Sequence, residues 1–518
     1  MIFTIFMLLF LHFLSFVCKP FSALIRIVKP PRLPPITNSL LKESASSLAE
    51  KIRNRKLSSE TLVRACIDRI KEVNPFLNAV IEDRFDEALT DAKKCDAILK
   101  SGKMTAATLE KEMPLFGIPI TVKESLSLNG MSYTGGNFDH KGRKASRNSP
   151  AIEMLLNAGA IPLCVTNTSE LCCSIHTSNV LTGATNNPYD TRISPGGSSG
   201  GEAALLGAGA SVLGIGSDLI GSIRIPSLFS GVFGHKPTTG IISSEGHFPF
   251  NPDPTFVKLI VFGPIARHAK DLRLVMKIFT SNFNELSRFD EPIDLKTVRV
   301  LYIEKMDTIF DIYNTTSDIK EKIKDAARHL RGIGAHVEQL SQEYVKYSHL
   351  YMLATICDIQ VPDEMNIPNG DKIALMLIEF CKALLGLSKY SAQLVLSTIF
   401  TEQNAFLSPK EKQQLNGEKE ILREKLNILL DERTVILLPT FTQPASYAED
   451  VVLKTDCTTY AALANIMQFP ATHVPMGLNK DGLPVGFQVM AGCKNDHLCL
   501  AIAEELERAF GGWVPPPY

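Results

Sequence analysis

The sequence has almost no net charge and lacks the short patterns that mark metal-binding and nucleic-acid-binding proteins. Its 518 residues carry a formal charge of -1 at pH 7. No Arg-rich stretch with interleaved aromatic residues occurs, so we expect no nucleic-acid partner. Neither a Cys-x-x-Cys pair nor a His-Glu-x-x-His motif is present, and we therefore expect no bound metal.

The cysteines lack the spacing of a disulfide-stabilised protein. There are eleven of them, an odd number, scattered from Cys18 to Cys499. Small secreted domains instead carry an even, closely spaced set. The pattern predicts free thiols in a reducing compartment.

Charge is also missing from the first eighteen residues, which are apolar and are followed by Lys19 and Arg26. A secretory signal peptide would place the charge first, and eighteen residues is about the lower limit for a bilayer span. We expect a membrane anchor, either a single span or a hairpin in one leaflet. The charge that follows it favours a cytosolic catalytic domain at the endoplasmic reticulum or a lipid droplet. The proline-rich stretch 30–35 would be a stiff spacer.

Hydrophobic patterns indicate that residues 39–518 form one domain and residues 1–38 a separate membrane segment. Residues 114–122 and 160–166 are typical of buried strands, and a helix that follows Ser149 lies between them. This spacing predicts a parallel pair, and a similar unit recurs at 298–340. We expect an α/β fold, a single large domain with a central mixed β-sheet covered by helices.

Residues 194–226 are unusually rich in Gly, Ser and Ala, which suggests backbone amides that face an anion. The G-x-S-x-G pattern at 196–200 would make Ser198 the nucleophile of an α/β-hydrolase. That motif must follow a strand, whereas residues 189–195 have the composition of a loop. The glycines do not fit a dinucleotide-binding motif either, so we expect no cofactor.

A third interpretation joins Lys123, Ser198 and Ser222. Lys123 ends the apolar run 114–122, and full burial lowers the pKa of a lysine by up to about 3–5 units. The resulting neutral amine can act as a base, which serine needs to become a nucleophile. Ser198 would carry the proton from Ser222 to Lys123, and the amides before Ser222 would face the developing oxyanion.

These residues lie in blocks that resemble the amidase signature family. The resemblance rests on Lys123, on SPGGSSGGE at 194–202 and on residues 218–226. It runs from about residue 47 to residue 511 and includes LSSETLVRACIDRIKEVNPFLNAV (57–80) and GLPVGFQVM (482–490). The N-terminal apolar segment and the chain length are similar to those of the membrane-associated fatty-acid amide hydrolases, most nearly of type 2.

The resemblance implies a serine hydrolase with a Ser-Ser-Lys triad. Ser222 would be the acyl nucleophile, Ser198 the proton bridge beside a cis peptide bond, and Lys123 the base that later protonates the leaving amine. The implied oxyanion hole consists of four backbone amides, those of Leu219, Ile220, Gly221 and Ser222. The implied supporting residues are Cys172, Ser199, Asp218 and Arg224.

One position departs from the family pattern, which has two glycines before the nucleophile. Here Ile220 stands where the first glycine is expected. If that position required a positive φ, a β-branched residue there would cost about 1–3 kcal/mol. We expect a weakened but active hydrolase.

The leading hypothesis is hydrolysis of long-chain fatty-acid amides to fatty acid and amine. A lipid substrate can reach an anchored enzyme through the bilayer. Two alternatives stay open: a short-chain or glutaminase-type amidase, and a catalytically weakened lipid-binding relative, for which Ile220 is the only support. The resemblance also suggests a homodimer.

Overall fold

A computed structural model of the chain describes residues 29–281, 288–307, 314–359, 372–401 and 407–517. The predicted membrane anchor at residues 1–18 lies outside this part of the chain. Within it, no helix combines the length and the apolar composition that crossing a bilayer requires.

In the described residues, eleven strands form one sheet and two short strands pair separately. The strands are β1 (Val80–Asp83), β2 (Pro119–Lys123), β3 (Ile161–Thr166), β4 (Ser178–Asn179), β5 (Gly183–Ala184), β6 (Leu213–Asp218), β7 (Phe233–Lys236), β8 (Val261–Ala266), β9 (Arg299–Tyr302), β10 (His336–Gln339), β11 (Thr434–Leu438), β12 (Ala471–Leu478) and β13 (Pro484–Ala491). The order in the large sheet is β1-β3-β2-β6-β8-β7-β12-β13-β11-β9-β10.

The sheet is mixed, as the sequence patterns predict. Parallel pairs join β2 to β3 and to β6 at one side, and β9 to β10 and to β11 at the other. The strands between them pair antiparallel. Both predicted strand-helix-strand units are therefore confirmed. One boundary differs, because β2 begins only at Pro119 and the preceding residues 114–117 form turns.

Helices cover the sheet and supply most of its packing partners. Their bounds are Ala45–Arg53, Ser59–Leu77, Phe85–Ser101, Ala106–Glu112, Pro150–Asn157, Gly200–Gly207, Arg224–Phe229, Pro254–Leu259, Ala269–Thr280, Ser317–Gly332, Ser348–Asp358, Lys372–Leu384, Ala392–Thr401, Pro409–Leu429, Ala448–Leu453, Thr459–Ile466 and Asp496–Phe510. Short helical turns of the 3-10 type occur between them.

The proline-rich segment lies against the body of the protein. Leu33 is buried in the main hydrophobic cluster, and the guanidinium of Arg69 donates to the carbonyl oxygen of Pro34 at 2.9 Å. This end of the predicted spacer is thus held by side-chain packing and by a buried arginine. The division at residue 38 remains a prediction.

The centre of the sheet positions the small-residue stretch. All five residues of β2 and all six of β6 are buried. Helix Gly200–Gly207 packs across these two strands, and every residue of the helix is buried. Small side chains in this helix allow its backbone to approach the strands closely.

Candidate active site

The site lies at the edge where two neighbouring parallel strands end. Lys123 is the last residue of β2, and Ser217 and Asp218 are the last two of β6. Because the register aligns Val122 with Ile215, the side chains at these ends come together. Lys123 and Asp218 are completely buried.

The structure brings Lys123 and Ser198 into direct contact. Lys123 Nζ lies 2.6 Å from Ser198 Oγ and 3.0 Å from Ser217 Oγ. The peptide bond between Gly197 and Ser198 is cis. A methyl group at Gly197 would come within 2.6 Å of the carbonyl oxygen of Ser174, so this turn can form only around a residue without a side chain.

The surroundings of Lys123 favour its neutral form. Burial lowers the pKa of Lys123, and the nearby Cys172 and Asp218 oppose that shift only in part. Burial also raises the pKa of Glu202 to about 8. Glu202 is therefore largely uncharged at neutral pH and provides little counter-charge for a lysine ammonium.

Ser222 lies on the turn that leads into helix Arg224–Phe229 and is almost fully buried. Its carbonyl oxygen accepts a hydrogen bond from the amide of Ser199 at 3.2 Å, which ties the two serine-bearing segments together. Within the described residues, no hydrogen bond joins the Ser222 hydroxyl to Ser198.

The four amides expected to form an oxyanion hole are not equivalent. The Gly221 amide donates to Asp218 Oδ1 at 2.7 Å, so it is already occupied, in contrast to the expectation. The amides of Leu219, Ile220 and Ser222 have no acceptor within the described part of the chain. These three remain available to a ligand.

The backbone of Ile220 is not in the left-handed region. The positive φ of this turn belongs to Gly221, at 123°, and Ile220 is half-buried. The conformation that only glycine tolerates is therefore occupied by a glycine. The strain considered for Ile220 is absent.

A buried ion pair braces the turn. Arg224 donates through Nε and Nη2 to the two carboxylate oxygens of Asp218, at 3.1 and 3.0 Å. The same guanidinium donates to Asn465 Oδ1 and Gln488 Oε1, both at 2.6 Å. Although burial raises the pKa of Asp218, the charge and hydrogen bonds of Arg224 outweigh it and hold the pKa at about 2. Asp218 and Arg224 therefore hold the two ends of this turn together.

Cys172 contributes a side chain as well as backbone. Its φ of 61°, together with the φ of 48° at Leu171, turns the chain so that Cys172 lies beside Lys123, where the two groups interact electrostatically. The Sγ atom is 4.0 Å from His247 Nε2. Ser199 Oγ donates to the Ser217 carbonyl oxygen at 3.3 Å and so links the serine-rich turn to the end of β6.

Three neighbours of Lys123 were not predicted: Ser217, Glu202 and His247. Glu202 did carry a signal, because it is the only charge in the small-residue stretch before Asp218. Ser217 could have been found from its place at the end of a parallel strand. His247 had no local signal, since it lies in a loop far along the chain.

Two further features concern cofactors and thiols. In the described ranges, no group of three His, Cys, Asp or Glu side chains is placed to hold a metal ion. Every cysteine that the structure describes is free.

Comparison with known proteins shows which family the chain belongs to. The amidase family model matches residues 61–500. Fatty-acid amide hydrolase 2-B of Danio rerio is 38% identical, and the match covers 96% of this chain and 96% of the relative. Fatty-acid amide hydrolase 2 of Homo sapiens is 36% identical over 94% of this chain and 92% of the relative. A solved structure of fatty acid amide hydrolase has a TM-score of 0.73 and 24% identity, covering 92% of this chain and 87% of that one.

The family match spans most of the chain. The solved structure has the same overall fold. The predicted resemblance, fold class and enzyme class are confirmed. The chain belongs to the amidase signature family and is an amide-hydrolysing enzyme.

Proposed function

We propose that the protein hydrolyses long-chain fatty-acid amides through Ser222, Ser198 and Lys123. The observation that carries this proposal is the 2.6 Å contact between Lys123 Nζ and Ser198 Oγ in a buried setting. A neutral lysine there can take the Ser198 proton while Ser198 takes that of Ser222. The Ser222 oxygen then attacks the amide carbonyl carbon and forms the acyl-enzyme.

The same groups complete the reaction. The proton held by Lys123 returns through Ser198 to the nitrogen of the leaving amine, since an unprotonated amide anion is too poor a leaving group. Water then attacks the acyl-enzyme with the same pair acting as base. The free amides of Leu219, Ile220 and Ser222 would stabilise the oxyanion, each donor contributing on the order of 2.7–4 kcal/mol.

A buried apolar cluster beside the site favours a long-chain substrate. Leu171 and Phe248 adjoin the Lys123 neighbours Cys172 and His247, and they pack with Leu394 and Val395 of helix Ala392–Thr401 in one hydrophobic cluster. Met376 of the preceding helix, Lys372–Leu384, belongs to the same cluster. That helix ends beside leucines at the surface, where Leu385 is 74% exposed. An acyl chain could follow this path from the surface towards Ser222, and the names of the similar hydrolases point to the same substrate class.

The membrane location is part of this proposal. An anchor at residues 1–18 would hold the catalytic domain at a bilayer, with the domain on the cytosolic side of the endoplasmic reticulum or on a lipid droplet. Exposed Leu384, Leu385 and Leu387 would give the domain a second apolar contact with lipid. Substrate dissolved in the bilayer would then enter close to these leucines.

The test of the proposal is labelling with a fluorophosphonate probe, followed by mass mapping of the modified serine. We expect wild type to be labelled at Ser222, Ser222→Ala to be unlabelled, and Lys123→Ala to react at least a hundredfold more slowly, because the base contributes about 10²–10⁴-fold. Turnover of a long-chain acyl amide should exceed that of acetamide and glutamine. Label on another serine, or a preference for glutamine, would contradict the proposal.

A further inference from the structure

His247 is buried beside Lys123 although no part of the proposed triad requires it. Its Nε2 atom lies 3.0 Å from Ser217 Oγ, and Ser217 Oγ lies 3.0 Å from Lys123 Nζ. His247 is only 2% exposed. A chain of hydrogen bonds therefore runs from Lys123 through Ser217 to a histidine.

The fold fixes the position of this histidine relative to Lys123. The residues that follow Lys123 pair with the loop that carries His247, through an isolated bridge between Leu126 and His247. On either side of it, the Ser127 amide donates to the Gly246 carbonyl oxygen at 2.9 Å, and the Phe248 amide donates to that of Ser125 at 2.8 Å. The ring also contacts the rings of Phe256 and Phe262.

The donor and acceptor in each of these hydrogen bonds can be assigned by starting from the His247 ring. His247 Nδ1 lies 2.9 Å from the carbonyl oxygen of Pro249, which can only accept, so Nδ1 carries the proton. In the neutral ring, Nε2 is then an acceptor. With the ring neutral, the Ser217 hydroxyl donates to Nε2, and the Ser217 oxygen accepts from Lys123 Nζ.

This arrangement of donors and acceptors determines how the N–H groups and the lone pair of Lys123 Nζ are oriented. A neutral amine has two N–H groups and one lone pair. Because Ser217 accepts one N–H, and its own proton is committed to His247, Ser217 cannot compete for the lone pair. The lone pair is then free to accept the proton of Ser198, whose oxygen is the closest neighbour of Nζ at 2.6 Å.

We infer that His247 is a positioning residue that acts through Ser217 to aim the Lys123 lone pair at Ser198. This inference rests on the proposed function, since it assigns a role within the same proton transfer. His247 touches neither the substrate nor Ser222 in this role. It sets the orientation of the base and leaves substrate binding unchanged.

Cys172 is the other polar neighbour of the histidine. Its Sγ atom is 4.0 Å from Nε2, a longer contact than the 3.0 Å to Ser217. The shorter contact favours donation from Ser217 to Nε2.

The experiment compares His247→Phe with His247→Gln. Phenylalanine keeps the ring packing but removes both nitrogens, whereas glutamine places an acceptor oxygen where Nε2 lies. The readouts are the rate constant for fluorophosphonate labelling of Ser222 and the kcat and KM for a long-chain acyl p-nitroanilide. His497→Phe, a buried histidine that contacts Phe289, serves as the matched control.

We expect His247→Phe to lower the labelling rate and kcat by about ten- to a hundredfold without changing KM, and His247→Gln to recover most of the loss. In a Ser217→Ala background, His247→Phe should cost less than about twofold, because its effect passes through Ser217. His497→Phe should stay within about threefold of wild type.

Equal losses in His247→Phe and His247→Gln, or the same loss with and without Ser217, would overturn the inference. So would a change confined to KM. The proposed function fails in a different way, since wild type would then carry no label on Ser222. Normal labelling of both wild type and His247→Phe refutes the role of His247 and leaves the triad intact.

Discussion

The two residues before the proposed nucleophile differ in the backbone conformation that they must adopt. Ile220 has an ordinary backbone conformation and a half-buried side chain, so it occupies the turn without strain. Gly221 has a φ of 123°, and a methyl group there would come within 2.7 Å of the Ala461 side chain. The demand for glycine therefore falls on position 221 alone. The weakened-relative hypothesis loses the strain on which it depended.

This asymmetry predicts unequal effects of two substitutions. Ile220→Gly should change the rate of fluorophosphonate labelling by less than about threefold, because no strain is relieved. Gly221→Ala should lower that rate at least a hundredfold and reduce the free energy of unfolding by about 1–3 kcal/mol, through backbone strain and the clash with Ala461. Labelling kinetics and urea unfolding measure both. A large gain in Ile220→Gly would instead support the hypothesis of a catalytically weakened relative.

At the residue scale, the site residues that could be predicted were those marked by their immediate sequence neighbours. Lys123 could be singled out because an apolar run ends in a charge, and Ser198 because it sits among glycines. His247 could not, since it lies in a loop and meets Lys123 only through the pairing of Leu126 with His247. A contact of that kind depends on how two distant loops pack, and no periodic pattern encodes it.

The element that matters most is the turn between β6 and helix Arg224–Phe229. It holds Ser222 and the three free amides, yet it has little regular structure of its own. Its shape is maintained by the buried pair of Asp218 and Arg224, with both side chains fully removed from solvent. Asp218 also accepts from the amides of Gly221 and Ile223, at 2.7 and 3.1 Å. One carboxylate therefore organises both ends of the turn.

Asp218→Asn tests this brace, because it keeps the shape of the side chain and removes its charge. The Arg224 guanidinium would remain buried without its counter-ion, which costs about 3–5 kcal/mol. We expect the free energy of unfolding to fall by that amount in urea titrations at pH 7. Asp325→Asn, which breaks a surface pair with Arg328, should cost no more than about 1 kcal/mol. Equal small losses in both would show that the turn holds its shape without the pair.

The boundaries of helices and strands could be predicted where the hydrophobic pattern fitted a single type of secondary structure. The parallel unit of β2 and β3 follows from two short apolar runs on either side of a capped helix, and the structure confirms it. The start of β2 was misplaced, because residues 114–117 are apolar but form buried turns, with Gly117 at a φ of 75°. An apolar run indicates burial, and it distinguishes a strand from a buried turn only by its neighbours.

For the molecule as a whole, the proposed membrane anchor leads to a test of which side of the bilayer the catalytic domain would face. The chain has two Asn-x-Ser/Thr sites, at Asn167 and Asn314. Asn167 is 1% exposed and its amide donates to Thr185 Oγ1 at 3.0 Å, so it belongs to the folded interior. Asn314 is exposed. Asn314 is thus the site that can report on topology, since glycans are added only on the lumenal side.

A cytosolic domain predicts that the full chain, expressed in mammalian cells, migrates identically before and after enzymatic deglycosylation. Replacing residues 1–18 with a cleavable signal peptide should send the domain into the lumen and produce a shift that Asn314→Gln abolishes, which proves that the site accepts a glycan. A deglycosylation-sensitive shift in the unaltered chain, lost in Asn314→Gln, would place the domain in the lumen. The substrate would then have to reach Ser222 from the opposite leaflet, because the exposed leucines at 384–387 and the anchor would both face that side.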